Sequence, residues 1–379
     1  MSDPTAFTHA ASPAVAGSDT DLPRAAGASV AGRLTPPAEL RTELPITAAV
    51  ADLVARTRTD VMRIVFGSDP RLLVVMGPCS IHDAESAVAY ARWLRPLQEH
   101  VADALLLVMR VYVEKPRTRT GWKGLVNDPR LDGSFRIDEG LRIARQVLLE
   151  VNELGVPAAT EFVDVATPAW LGDLISWSAL GARSIESQPH RQMTSGLACP
   201  VGFKNGTGGS LEVAMNAMMA AGMPQRCIGL DESGQAAAIA TTGNEHTHLV
   251  LRGGGTPNHD SASVLSATRR LAERGLNQRV MVDCGHGNSS HDERGQIAVA
   301  EDVIAQVAGG SDSLLGIMLE SNLLAGRQVF SAGTQPVPGL SITDACIGLS
   351  DTERMIEKLA AARRPVHAAT GDTAFVRHA

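Results

Sequence analysis

Cys79 stands in Gly77-Pro78-Cys79-Ser80-Ile81-His82-Asp83, directly behind the apolar run Leu72-Leu73-Val74-Val75-Met76. A strand ending on such a turn presents a thiol that could serve as a nucleophile, a metal ligand or a small buried hydrophobe. Two further sets of residues could do chemistry. Arg110, Lys115, Arg117, Arg119, Lys123, Arg183, Lys204 and Arg252 gather cations in a chain that is acidic overall, with a net charge of −7. Cations brought to one opening repel each other unless an anion joins them, and phosphate or carboxylate suits arginine best. His286, Glu320 and Asp344 form the other set with Cys79. A thiolate, an imidazole and two carboxylates mix soft and hard donors in a way that suits a divalent transition ion such as Mn, Fe, Co or Zn.

These residues need a frame to bring them together. Apolar runs predict strands at Leu72-Met76, Leu106-Tyr112, Ala158-Phe162, Ala182-Glu186, Val201-Lys204, His248-Arg252, Val280-Asp283 and Leu315-Leu319. Helical patterns alternate with them at Glu85-Gln98, Ile137-Leu154, Leu211-Ala221, Ser261-Arg274 and Gly295-Val307, after a first helix at Thr47-Phe66. Eight strand–helix units in one run predict a closed (β/α)8 TIM barrel, with a doubly wound sheet as the alternative. In such a barrel chemistry collects at the C-terminal strand ends, where both sets of residues fall. Pro224-Gly243 reads as a hairpin inserted between the fifth and sixth strands.

The expected divisions are a mobile N-terminal arm over 1–40, an N-terminal helix region over 41–70, the catalytic barrel over 71–365 and a C-terminal tail over 366–379. Residues 1–40 are rich in Ala, Ser, Thr and Pro, a composition that buries too little apolar area to offset its ordering entropy. Five cysteines, at 79, 199, 227, 284 and 346, form no CxxC pair, so neither a disulfide framework nor a zinc ribbon is expected. No long basic run supports nucleic-acid binding, and no apolar stretch approaches the ~18 residues of a membrane span. A cytoplasmic protein is expected.

Other signals carry less. Gly202-Phe203-Lys204-Asn205-Gly206-Thr207-Gly208-Gly209 is neither GxGxxG nor GxxxxGK[ST], so it is no nucleotide fingerprint. His246 and His248, at i and i+2 on one strand face with no third ligand nearby, read as structural or surface residues. A serine-hydrolase GxSxG elbow is missing.

The segment from about Leu72 to Ile347 resembles the type I 3-deoxy-D-arabino-heptulosonate 7-phosphate (DAHP) synthases, which open the shikimate pathway. The resemblance rests on Gly77-Asp83, Met109-Thr118, Gly121-Leu125, Gly181-Arg183, Pro200-Thr207, Leu251-Gly254, Asn288-Ser290 and Ser341-Ile347. It implies a metal-dependent condensation of phosphoenolpyruvate with erythrose 4-phosphate. It also implies that Cys79, His286, Glu320 and Asp344 hold the metal. Arg110, Lys115, Arg183, Lys204 and Arg252 would hold phosphoenolpyruvate with backbone help at Gly181 and Ala182, while Pro116, Arg117 and Thr118 meet the aldose phosphate. Glu161 and Lys204 are expected to position the reacting water. Lys115, Glu161, Lys204 and His286 thus form the expected catalytic group.

A sibling using another aldose phosphate is an alternative, but Lys115-Pro116-Arg117-Thr118 favours the heptulosonate enzyme. A paralogue serving a specialised aromatic metabolite would share the chemistry, and a non-catalytic regulatory barrel would have lost the donors kept here. The family also implies a homodimer or homotetramer and an aromatic amino acid effector site built from the arm and the insertion. Both segments diverge here, with Gly229 near a position that helps select the effector, so tyrosine control and loss of control both fit the residues. Gly285-His291 ends in histidine where the family's motif ends in lysine, and Pro338-Gly339-Leu340 replaces Tyr-Gly-Lys.

Overall fold

The computed structural model describes residues 29–119, 121–331 and 334–364. Eight parallel strands close into a barrel: β1 (Leu72–Gly77), β2 (Leu105–Arg110), β3 (Ala158–Glu161), β4 (Trp177–Leu180), β5 (Val201–Lys204), β8 (Thr247–Leu251), β9 (Val280–Asp283) and β10 (Leu314–Glu320). Their residues are buried on both faces, which is why β1, β2 and β10 read as largely apolar runs. Closure pairs β1 with β10, and its register sets Gly77 beside Glu320. Between β5 and β8 an antiparallel hairpin, β6 (Arg226–Leu230) and β7 (Ala236–Ala240), stands outside the barrel, as expected of the insertion.

The outer layer includes α3 (Ala84–His100), α4 (Ile137–Glu153), α7 (Leu211–Ala221), α8 (Ser261–Ala272) and α9 (Glu293–Ala308), close to the expected ranges. α2 (Ala48–Val65) starts where Thr47 Oγ1 accepts from Val50 N, a cap that satisfies one orphan amide. This helix closes the N-terminal end of the barrel. Its Val61, Ile64 and Val65 join Leu73, Val75, Val108, Trp177 and Met281 in the interior cluster. Arg58 reaches the carbonyls of Gly172 and Ile175, and Asn277 donates to Val65 O, tying α2 to the chain that enters β4 and β9. With the bottom sealed, the opposite mouth is left for a ligand.

Three expectations are corrected. The fourth strand is Trp177–Leu180; Ala182-Glu186, the segment read as that strand, lies in the turns that follow it. The alternating polarity of Ala182-Arg183-Ser184-Ile185-Glu186 imitates a strand, whereas the true one carries Ser178 and looks too polar. The expected arm over 1–40 is also not uniform. Residues 1–28 lie outside the described residues, but α1 (Pro37–Glu43) begins before residue 40 and is docked. Trp170 Nε1 donates to Thr35 O at 2.8 Å and Ala38 N donates to Glu232 O at the hairpin tip. Finally, α5 (Pro168–Leu171), α6 (Gln188–Ser195) and α10 (Leu349–Arg363) had no counterpart in the expected elements. The expected tail over 366–379 lies outside the described residues.

Candidate active site

The barrel brings both sets of residues to its C-terminal mouth. Cys79 follows β1, Glu320 ends β10, and Asp344 comes from the last loop; one donor atom from each lies within 4.8 Å of the others. Cys79 Sγ is 3.5 Å from Asp344 Oδ2 and accepts from Asp344 N at 3.3 Å. Glu320 is held at its backbone by Gln296, whose Oε1 accepts Glu320 N at 2.9 Å. His286 stands one step aside. Its Nε2 is 3.9 Å from Glu320 Oε1, while its Nδ1 is 2.9 Å from Asp283 Oδ2 with the N–H out of line for a hydrogen bond. The expected four-donor set is therefore present as a close trio with the imidazole at its edge.

Charge at this spot is strongly coupled. Burial first, and the Glu320 carboxylate second, push the Cys79 thiol up to about 12. Lys115 Nζ reaches Cys79 Sγ at 2.8 Å and lies 3.7 Å from Asp344 Oδ2. Burial alone would lower its pKa, but Cys79, Glu320 and Asp344 together hold the ammonium above the usual lysine range. Asp344 would be raised by burial, yet Lys115 and then His286 keep it below the usual carboxylate range. A divalent ion fits this set: sulfur, oxygen and nitrogen donors converge, two of them almost wholly buried, and a cation would offset the two carboxylates.

The cation set divides into paired and unpaired members. Arg110 is 1% exposed, donates to Glu320 Oε1 at 3.1 Å, and lies 3.9 Å above the Tyr112 ring. Lys204 Nζ donates to Asp283 Oδ2 at 2.9 Å. Burial would raise Asp283, but His286 and Lys204 pull it well below the usual range. Arg252 differs. It is 7% exposed, and among the described residues its guanidinium has no carboxylate partner and no hydrogen bond. Burial, with Arg183 nearby, lowers its pKa from the ordinary arginine value. A buried unpaired guanidinium marks the place of an anion.

A small cavity joins these residues. Lys115, Pro116, Glu161, Gly181, Ala182, Arg183, Lys204, Thr207, Arg252, His286 and Asp344 line it. Glu161 Oε1 is buried there without a partner, and a Cβ on Gly181 would sit 2.0 Å from it, so only glycine leaves the carboxylate its place. Pro116 reaches the cavity, whereas Arg117 and Thr118 stand exposed on the rim. Thr118 Oγ1 accepts from Arg183 Nε at 2.8 Å, linking the rim to the cradle. Arg119 and Lys123 are exposed and do not line the cavity. His248 is structural: it is buried and its Nε2 accepts from Trp177 Nε1 at 3.0 Å.

Sequence reasoning gave no role to Asp283, Tyr112, Thr207 or Gln296. Asp283 ends a predicted strand, which was the available signal. Tyr112 lies two residues beyond Arg110 and so on the same face.

Fold and site together define a (β/α)8-barrel enzyme built for small anionic substrates. The family model described as the DAHP synthetase I family matches residues 44–357, and the chain belongs to that family. A Tyr-sensitive phospho-2-dehydro-3-deoxyheptonate aldolase of Salmonella typhimurium is 50% identical over 327 residues, which cover 86% of this chain and 92% of that protein. A Phe-sensitive relative of Escherichia coli K12 is 49% identical over 86% of this chain and 93% of its own. A Trp-sensitive relative of Escherichia coli O157:H7 is 47% identical over 87% and 94%. The solved phospho-2-dehydro-3-deoxyheptonate aldolase of Francisella tularensis SCHU S4 superposes with a TM-score of 0.86 at 41% identity, over 89% of this chain and all of that one.

Proposed function

We infer that this chain condenses phosphoenolpyruvate with erythrose 4-phosphate and water to give DAHP and phosphate, the entry step of the shikimate pathway. The unpaired Arg252 carries the reading: a cation that lines a cavity together with Lys204 and Arg183 is matched by the phosphate of an enol phosphate. Arg110 and Lys115 lie on the side of the metal donors and serve the carboxylate. Gly181 and Ala182 contribute backbone, and Pro116, Arg117 and Thr118 at the rim meet the aldose phosphate.

Cys79, His286, Glu320 and Asp344 would hold a divalent ion, Mn, Fe, Co or Zn. When bound it supplies a Lewis acid for the aldehyde oxygen. The protein's own share is positioning. The cationic cradle lowers the cost of bringing two phosphorylated substrates together and fixes the enol face for attack. Glu161 Oε1 is poised to take the proton of the water that adds at the enol phosphate carbon, while Lys204 orients that water. Glu161→Gln should cost turnover without costing the metal; full turnover in that variant would remove the water-positioning role.

The groove between the hairpin, α1, α5 and α6, of about 500 Å³, is the place for an aromatic amino acid effector. Apolar Val165, Pro168, Met193, Leu197 and Ile239 line it together with Gly229. Its closeness to the docked arm is what lets a ligand there be felt by both segments. On the hairpin Ile228 is 89% exposed, a side chain suited to burial in a homodimer or homotetramer.

The direct test mixes metal-loaded protein with both substrates and follows loss of the enol absorbance, with and without chelator and with each aromatic amino acid. Consumption should stop on chelation. No consumption of phosphoenolpyruvate with any divalent metal would defeat the central reading.

A further inference from the structure

The loop after β9 holds three non-glycine residues in left-handed backbone: His286 (φ 57°), Ser290 (φ 55°) and His291 (φ 61°). Each costs on the order of 1 kcal/mol or more and persists only where the surroundings impose it. Here His291 N donates to His286 O at 2.8 Å, and the two imidazoles meet edge to face with centroids 6.1 Å apart. The strained loop thus sets a second imidazole beside His286, one of the four metal donors.

The donors are graded in exposure. Cys79 is 0% and Glu320 2% exposed, the His286 side chain 13% and the Asp344 side chain 41%, while His291 is exposed. A hydrated ion cannot reach a thiol with no accessible surface in one step; it must first exchange water for outer donors. We propose that His291 is the outermost ligand on the metal's way in, taking the ion from water and passing it to Asp344 and His286 before Glu320 and Cys79 complete its shell. The proposal rests on the four-donor metal site inferred above. The lysine of the family's motif could not do this, because a protonated ammonium has no lone pair and repels an incoming cation.

The test uses metal-free protein mixed rapidly with Co(II), read by the thiolate-to-cobalt absorption band that reports arrival at Cys79. His291→Ala should slow the appearance of the band about tenfold, and chelator-driven loss by the same factor, because a path residue lowers one barrier for both directions. The final band and the Co(II) affinity should be unchanged. His291→Lys, which installs the residue of the family's motif and so keeps the fold, should slow arrival at least as much. Arrival at the wild-type rate in both variants would overturn the proposal. So would an altered band or weakened affinity with unchanged arrival, which would make His291 a ligand of the final site instead. A wild-type protein that gives no band at all would instead remove the metal site on which the proposal stands.

Discussion

Arg252 allows the sharpest test of the anion cradle, because its two expected effects have opposite signs. In the ligand-free protein the residue is 7% exposed and its guanidinium is unpaired among the described residues. The effective penalty for a fully buried unpaired ion is several kcal/mol, and the cavity-facing end of this one stays solvated, so a net cost of about 1–2 kcal/mol is reasonable. Replacing it by methionine keeps most of the volume and removes the charge. Arg252→Met should therefore melt about 1–3 °C above wild type without ligand, using ~1.3 °C per kcal/mol, which follows from ~2.1 cal/mol/K of unfolding entropy per residue over 379 residues.

With ligand the order reverses. Two charge-assisted hydrogen bonds to a phosphate, at about 1.5–3 kcal/mol each, amount to at least about 3 kcal/mol, or roughly a hundredfold in affinity. At a phosphoenolpyruvate concentration of about 100 times the wild-type Kd, linkage stabilises wild type by about 2.7 kcal/mol. The same concentration then only matches the Kd of the variant, for a gain of about 0.4 kcal/mol. The assay is paired thermal melting with and without phosphoenolpyruvate, at one metal concentration. A variant that melts below wild type when empty, yet keeps the full ligand-induced shift, would refute both the unpaired charge and the anion it awaits.

Gly181→Ala should lower kcat on the order of 10–100-fold while Tm stays within about 1 °C, because the added Cβ displaces only the end of the Glu161 side chain; wild-type kcat would show that the carboxylate's place does not matter. Burial pushes His248 down to about 4, so the folded protein keeps it neutral while the unfolded chain protonates below about pH 6.5. Its contribution is complete above that value and is lost as pH falls toward 4, to a total of about 3 kcal/mol, and His248→Gln should flatten urea-derived stability across that window. Cys79→Ser should lose Co(II) affinity and turnover together, and chelated enzyme held in air should lose recoverable activity and free thiol that enzyme under nitrogen retains.

The barrel was legible because its strands are buried on both sides, so that Leu72-Met76 and Leu314-Leu319 read as unbroken apolar runs. Where a strand uses small and polar residues, as Trp177-Ser178-Ala179-Leu180 does, the pattern fails and the more regular Arg183 segment takes its place. Arg183 nevertheless reached the expected mouth, since a shift of a few residues past a strand's end leaves a side chain in the same loop layer. The docking of Thr35 and α1 on Trp170 and the hairpin was hidden for another reason. It depends on contacts separated by 135 residues, which a local composition cannot show.

The four-donor set was legible as residue types but not as geometry, and Asp283 explains the difference. Its carboxylate faces Lys204 Nζ and His286 Nδ1, both at 2.9 Å, so one buried anion joins the cradle to the donor set. A metal-binding imidazole commonly gives its second nitrogen to such a carboxylate; here Nδ1 lies at contact distance from Asp283 with the N–H out of line for a hydrogen bond. With Nδ1 directed at Asp283, it is Nε2 that is left facing Glu320. The same carboxylate accepts from Lys204 and lies against His286, so one buried residue touches both the cation set and the donor set. Strand-end position gave Asp283 its place in the sequence, but its role comes from two partners at positions 79 residues and three residues away, one on β5 and one on the strained loop.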